Sequence, residues 1–169
     1  MIRKAVEADL PAVCSIYDRI HTCEQLGITH TGWQRGVYPT RETARAALNR
    51  GELYVYEDGA VLACAVINQM QTAEYAQGNW QFETEQVLVL HTLSVHPDFF
   101  AHGIGTKLID FYEALARSMG CRAVRMDTNA INLTARKFYR RLGYREAGVV
   151  PCTFQGIPGV SLVLLEKKL

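Results

Sequence analysis

The run QVLVLHTLSV, residues 86–95, constrains the fold more than any other stretch of this sequence. Its apolar residues are continuous rather than alternating, the pattern of a strand covered on both faces. Such a strand sits inside a sheet whose two sides carry helices. At 169 residues the chain is long enough to supply them and to bury a substantial core as one domain.

The rest of the pattern fits around that strand. MIRKAV is a short first strand. Asp9 is the expected cap of a helix with Pro11 in its first turn, where a missing N–H costs nothing. Val13, Ile16, Tyr17 and Ile20 continue at helical spacing. Thr40 caps a second helix through about Asn49, closed by Gly51. In ELYVYEDGAVLACAVINQM the alternation of residues 53–58 and the Asp58-Gly59 pair predict a tight hairpin. A helix with Ile104, Leu108, Phe111, Tyr112, Leu115 and Met119 on one face ends at Gly120. RAVRMDT is a further strand, NLTARKFYRRLGY a helix stopped by Gly143, and YREAGVV and GVSLVLLEKKL are closing strands. The order is strand, two helices, three strands, helix, strand, helix, two strands, which makes a mixed sheet with helices on its faces. No repeat, low-complexity segment or linker interrupts it, so residues 1–169 are expected to form a single domain.

Composition removes several function classes. A formal charge of +1 argues against general nucleic-acid binding. The five cysteines are scattered, without a CxxC or a histidine at zinc spacing, which predicts reduced thiols and no metal site. The charged, broken N-terminus MIRKAVEADLPAV resembles neither a signal peptide nor a membrane span. A cytoplasmic protein with no membrane partner is the expectation.

Chemistry enters with FFAHGIGTKLIDF, residues 99–111. Gly103 and Gly105 open a helix, and a helix start offers unpaired N–H groups and the positive end of its dipole to an anion. Two phosphate motifs do not fit. A P-loop needs Gly-Lys-Ser/Thr, whereas Thr106 follows Gly105. A dinucleotide fingerprint needs a third glycine at Leu108 and a strand running straight into the loop, but Pro97 and Asp98 intervene.

Read together, LSVHPDFFAHGIGTKLI and NLTARKFYRRLGY closely resemble the two signature segments of the GNAT acetyltransferase superfamily, whose members transfer acetyl from acetyl-CoA to an amine. The resemblance implies the GNAT fold, an α/β (α+β) architecture with a mixed, mostly antiparallel twisted sheet flanked by about four helices. It implies acetyl-CoA as cosubstrate and no metal. The family's cofactor motif falls on Phe100, Ala101, His102, Gly103, Ile104 and Gly105, followed by Thr106, with Phe100 where an Arg or Gln usually stands. Because main-chain N–H groups hold the pyrophosphate in the family, little side-chain charge is needed there. Lys107, Arg136, Lys137, Arg140 and Arg141 are candidates for compensating charge. By the same resemblance the strand around Leu93, Ser94 and Val95 splays from its neighbour to take the acetyl-pantetheine. Asn132 and Ala135 contact the cofactor, and Tyr139 is the general acid near the sulfur.

The base is the open assignment. His91 occupies a strand position where many relatives carry a glutamate, and Glu83 and Glu85 are its rivals. Trp33, Tyr38, Tyr75 and Trp80 are candidates to line the acceptor site, with Glu83 and Glu85 attracting a cationic amine. The acceptor is a small-molecule amine or a peptide amine at an N-terminus or lysine, and a homodimer is the candidate assembly. The alternative is a non-catalytic acyl-CoA-binding or regulatory domain on the same fold.

Overall fold

Gly59, at φ +70°, turns the hairpin between β2 (Leu53–Asp58) and β3 (Ala60–Asn68), and five further strands extend this pair into one sheet. The structure is a computed structural model and describes residues 1–82 and 86–169. The other elements are β1 (Ile2–Lys4), α1 (Leu10–Gln25), α2 (Arg41–Asn49), β4 (Val87–Val95), α3 (Ile104–Ser118), β5 (Ala123–Asn129), α4 (Leu133–Arg141), β6 (Arg145–Phe154) and β7 (Ile157–Lys168). Strand order is β1-β2-β3-β4-β5-β7-β6, with β4 at the centre. Only β4 and β5 are parallel, because α3 carries the chain back across the sheet between them.

Both faces are covered. Ile109, Tyr112 and Ala116 of α3 and Tyr139 of α4 pack on Leu88, Leu90, Val124, Met126, Val163 and Leu165. On the opposite face, α1 and α2 cover Leu53, Val55, Cys64 and Val66. Farther along that face, Val87, Val89, Ala123, Leu162 and Leu164 are covered by Tyr38 and Tyr75. Thr40 caps α2, accepting from the Thr43 N–H at 3.4 Å. Asp9 precedes α1, but its side chain caps nothing there. It accepts instead from both terminal nitrogens of Arg3, at 2.7 and 2.9 Å, and from the Val6 N–H, tying β1 to the helix entry.

The sheet carries one internal break. β4 and β5 pair from Val87–Ala123 to Leu90–Met126 and no farther, although β4 runs on to Val95 and β5 to Asn129. At the same point Ser94 pairs with Cys64 but His91 with Val66, so β4 holds one residue more than β3 over that interval. The bulge is at Thr92, whose φ of +51° is an outlier for a β-branched residue. Just before the break the Tyr112 hydroxyl lies 2.6 Å from the Leu88 carbonyl and 2.9 Å from that of Arg125, clasping the two strands.

A buried ion pair holds the segment that covers the second face. Arg125 of β5 and Glu166 of β7 are almost fully buried, 3.3 Å apart. Arg125 also donates to Gln71 Oε1 and the Phe82 carbonyl and lies 4.0 Å from the Trp80 ring centre. Glu166 accepts from the Gln81 N–H at 2.8 Å. Removing one partner leaves the other charge buried, which costs about 3–5 kcal/mol. Glu166→Ala is therefore expected to lower the unfolding free energy in urea by that amount, and a loss below about 1 kcal/mol would show the cluster to be incidental.

Candidate active site

Because β4 and β5 part beyond Leu90 and Met126, a wedge opens inside the sheet, and a cavity of about 850 Å³ runs through it. Thr92, Leu93 and Val95 line one edge and Asp127, Thr128 and Asn129 the other. Backbone groups on these edges have lost their ladder partners, and buried N–H and C=O groups must be satisfied somewhere. The cavity is shaped to receive an extended polar chain between two strand edges.

One end suits an anion. Gly103, at φ +75°, sets the start of α3, and Gly103, Ile104, Gly105 and Thr106 line the cavity. The N–H groups of that first turn have no acceptor within the helix. A β-carbon on Gly105 would stand 3.3 Å from Phe138 Cζ, so the Phe138 ring leaves little room for a side chain there. Lys137 and Arg141 of α4 line the same end. The other basic candidates are engaged elsewhere. Lys107 donates to the Tyr56 hydroxyl at 3.2 Å, Arg136 makes a two-pronged bridge to Glu146, and Arg140 lies 3.9 Å from Glu146. Positive charge at that end thus comes from two side chains of α4 and from main-chain dipoles.

Midway, Tyr139 packs edge-on against Tyr144 and reaches the cavity. The hydroxyl of Tyr144 donates to Glu113, and that of Tyr112 is held between two carbonyls. Tyr139 makes no such bond among the described residues, so its O–H remains available to a ligand. Burial, and secondarily the charge of Asp127, raise its pKa, which keeps it protonated through the neutral range.

The opposite face of β5 supplies the only carboxylate that lines the cavity among the described residues, Asp127. Strand alternation places it with Ala123 and Arg125, away from α3 and α4. Tyr75, in a short 3₁₀ turn at Ala73–Gln77, donates its hydroxyl to Asp127 Oδ2 at 2.8 Å. Burial pushes the Asp127 pKa up to about 6, against the opposing pull of the Tyr75 hydrogen bond. Trp33 and Tyr38 meet edge to face on this side, and the Tyr38 hydroxyl bonds the Thr92 hydroxyl at the bulge. Their loop is pinned by Glu24, whose carboxylate accepts from the Thr29 and Thr31 hydroxyls and from the Thr31 and Gly32 N–H groups.

Most residues expected from sequence meet in this one place. Leu93, Val95, Phe100, Ala101, Gly103, Ile104, Gly105, Thr106, Asn132, Ala135, Tyr139, Trp33 and Tyr38 all line the cavity. Ser94 and His102 do not. Ser94 is buried with its hydroxyl on the Thr92 carbonyl, and the His102 ring is exposed beside the Phe100 carbonyl. Trp80 stands over Arg125 and donates to the Tyr75 carbonyl, so it supports the wall rather than forming it. The expectation that His91 faces the acceptor is not met. Its Nε2 lies 2.9 Å from Asn68 Oδ1, outside the cavity lining, and burial pushes its pKa down. Glu83 and Glu85 lie outside the described residues. Asp127, in the predicted strand RAVRMDT, lines the cavity but was not among the expected site residues.

The sequence matches the model of the acetyltransferase (GNAT) family over residues 11–144. An uncharacterized N-acetyltransferase of Methanocaldococcus jannaschii is 39% identical over 74 residues, 43% of this chain and 33% of that protein. Another from Bacillus subtilis is 25% identical over 124 residues, 73% of this chain and 64% of that protein. In both cases the match spans less than two thirds of the relative's length. A GNAT-family acetyltransferase from Streptococcus agalactiae superposes with a TM-score of 0.82 at 21% identity, covering 100% of this chain and 95% of that one. The protein yncA from Salmonella typhimurium, solved with its cofactor acetyl-CoA, gives a TM-score of 0.70 at 18% identity, covering 100% and 93%. At such identities these structures speak to the fold. Among the described residues no helix is long and apolar enough to cross a membrane.

The raised Asp127 pKa has a consequence for stability. From an ordinary value of 3.8 to about 6, the shift corresponds to about 3 kcal/mol of cost when the group is ionised in the folded state. That cost is absent below the unfolded pKa, grows as pH rises through the interval, and is constant above the folded pKa. Asp127→Asn is therefore expected to raise the unfolding free energy at pH 8 by about 2–3 kcal/mol, with the gain shrinking below pH 6 and gone near pH 4. Equal stability of the two proteins at pH 8 would contradict a desolvated carboxylate.

Proposed function

The chain belongs to the acetyltransferase (GNAT) family, and we propose that it transfers an acetyl group from acetyl-CoA to a primary amine by direct attack. One observation carries the proposal: a single cavity joins the glycine start of α3, the open wedge between β4 and β5, and the Tyr139 hydroxyl, which has no hydrogen bond among the described residues. The α3 N-terminus, Lys137 and Arg141 fit the anionic end of acetyl-CoA, and the edges of β4 and β5 fit its amide-bearing arm. When bound, the cosubstrate supplies an activated acyl carbon and a thiol leaving group.

The chain's own groups then have defined tasks. Main-chain donors on the open edge of β4 orient the thioester carbonyl and stabilise the charge that develops on its oxygen. Tyr139 gives its proton to the departing sulfur. The acceptor must arrive with its nitrogen deprotonated, and an alkylamine with a pKa of ~10.4 is neutral in only about one molecule per thousand at pH 7. A non-catalytic acyl-CoA binder has no use for a protonated phenol that lines the cavity with no hydrogen-bond partner among the described residues, which favours the enzyme.

Acetyl-CoA at one hundred times its dissociation constant is expected to stabilise the protein by about 2.7 kcal/mol, a rise in Tm of about 5–10 °C for a chain of this size. Gly105→Val drives a side chain against Phe138 and should remove that rise. No rise in the unaltered protein would refute the cosubstrate assignment. Tyr139→Phe keeps the ring packing and should lower thiol release ~10²–10⁴-fold with the thermal rise retained. Full turnover in that variant, under conditions where chemistry limits the rate, would leave Tyr139 a packing residue.

A further inference from the structure

Resting on the acetyltransfer reading, we infer that the acceptor is a primary monoamine with an apolar, aromatic-sized body, its ammonium held by Asp127, which also takes its proton. Three observations converge on this. Asp127 is a carboxylate on the cavity wall with one hydrogen bond, from Tyr75, and no cation among the described residues to neutralise it. A half-buried charge without a counter-ion is costly unless a ligand supplies the opposite sign. The wall around it is apolar, formed by Trp33, Tyr38, Phe154, Ile157, Val160 and Leu162. Finally, among the described residues the Lys and Arg side chains that line the cavity, Lys137 and Arg141, both belong to α4, on the other side of the sheet.

The same observations set limits on the acceptor. A polyamine or an aminoglycoside needs a second anion, and the described wall offers one carboxylate. A free amino acid brings a carboxylate toward Asp127, and among the described residues no Lys or Arg of that wall meets it. An apolar amine matches the described carboxylate and the aromatic wall beside it: one charge on Asp127, and a hydrocarbon body against Trp33 and Tyr38.

The proton balance follows from the placement. The carboxylate of Asp127 accepts one proton from the ammonium, freeing the nitrogen lone pair. That pair forms the N–C bond with the thioester carbonyl carbon, and the C–S bond breaks. Tyr139 gives its O–H proton to the sulfur and recovers one from the acylated nitrogen, leaving a neutral amide. Asp127 then returns its proton to solvent. Titratable or charged groups facing Asp127 are Tyr75 and Glu74 from the 3₁₀ turn, Tyr38 from the loop before α2, Tyr139 from α4, and Cys152 from β6. Burial raises the carboxyl pKa to about 6, within reach of neutral pH. The free enzyme should therefore show an acidic limb there in kcat/KM.

The test measures thiol release at saturating acetyl-CoA with 2-phenylethylamine, spermidine, phenylalanine and an alanine-led peptide. The aromatic monoamine is expected to exceed the others at least tenfold in kcat/KM, with an acidic limb near pH 6. Asp127→Asn should lose ~10²–10⁴-fold and the limb, while acetyl-CoA still raises its Tm. Tyr75→Phe removes the donor that holds the carboxyl pKa down, so the limb should move to higher pH. That shift separates a positioning role from a structural one and stands if Asp127→Asn fails to fold. Preference for spermidine or the peptide, no turnover with the monoamine, or a limb kept in Asp127→Asn would overturn the inference. A limb lost in His91→Gln would return the proton to His91. Absence of any thermal rise with acetyl-CoA would instead strike the parent reading.

Discussion

Everything about this site depends on a failure of hydrogen bonding placed at the centre of a sheet. β4 and β5 are paired up to Leu90 and Met126, clasped by Tyr112, and then separate while each keeps its outer neighbour. A closed sheet there would have no cavity. The separation is built in by the extra residue of β4 at Thr92, whose left-handed backbone re-aims the strand. Strain of that kind costs of order 1–3 kcal/mol and persists only where surrounding structure enforces it. Here the Tyr38 hydroxyl on the Thr92 side chain and the continued pairing of β3 with β4 do so.

From that opening follows a division of charge. Faces of a sheet are kept apart by strand alternation, so Asp127 and the α4 cations address opposite ends of one cavity although all line it. An anionic cosubstrate and a cationic acceptor can thus approach from different sides without competing for the same groups. The segment bearing Tyr75 is fixed by the Arg125–Glu166 pair, which rigidifies the cavity wall two residues along β5 from Asp127. Positioning is paid for in stability, through a buried ion pair and a desolvated carboxylate.

Local patterns in the sequence were sufficient for most of the architecture. Asp58-Gly59, Thr40, Gly120 and Gly143 mark element ends that the structure keeps, and the continuous apolar run became the central strand. The element order followed from those signals. Asp9 went differently because a nearby guanidinium, Arg3, outcompetes the helix N–H groups for its carboxylate. At the cavity, the glycine start of α3 and Tyr139 lie where the sequence placed them because their positions follow from local signals or a motif. His91 and Asp127 do not, since which strand positions face the cavity depends on where β4 and β5 part, beyond Leu90 and Met126, and that point leaves no mark in a run of apolar letters. The support Trp80 gives to Arg125 is likewise a contact between distant segments, invisible to spacing.

Amide hydrogen exchange across the wedge tests the account most directly. On adding acetyl-CoA, the segments Thr92–His96 and Ala101–Lys107 should slow together, because both present backbone groups that the sheet and helix leave unpaired. Slowing in these two segments, with β1 and β2 unchanged, is the predicted result. Slowing confined to other parts of the chain, or none in either segment at saturating acetyl-CoA, would contradict binding in the break between β4 and β5.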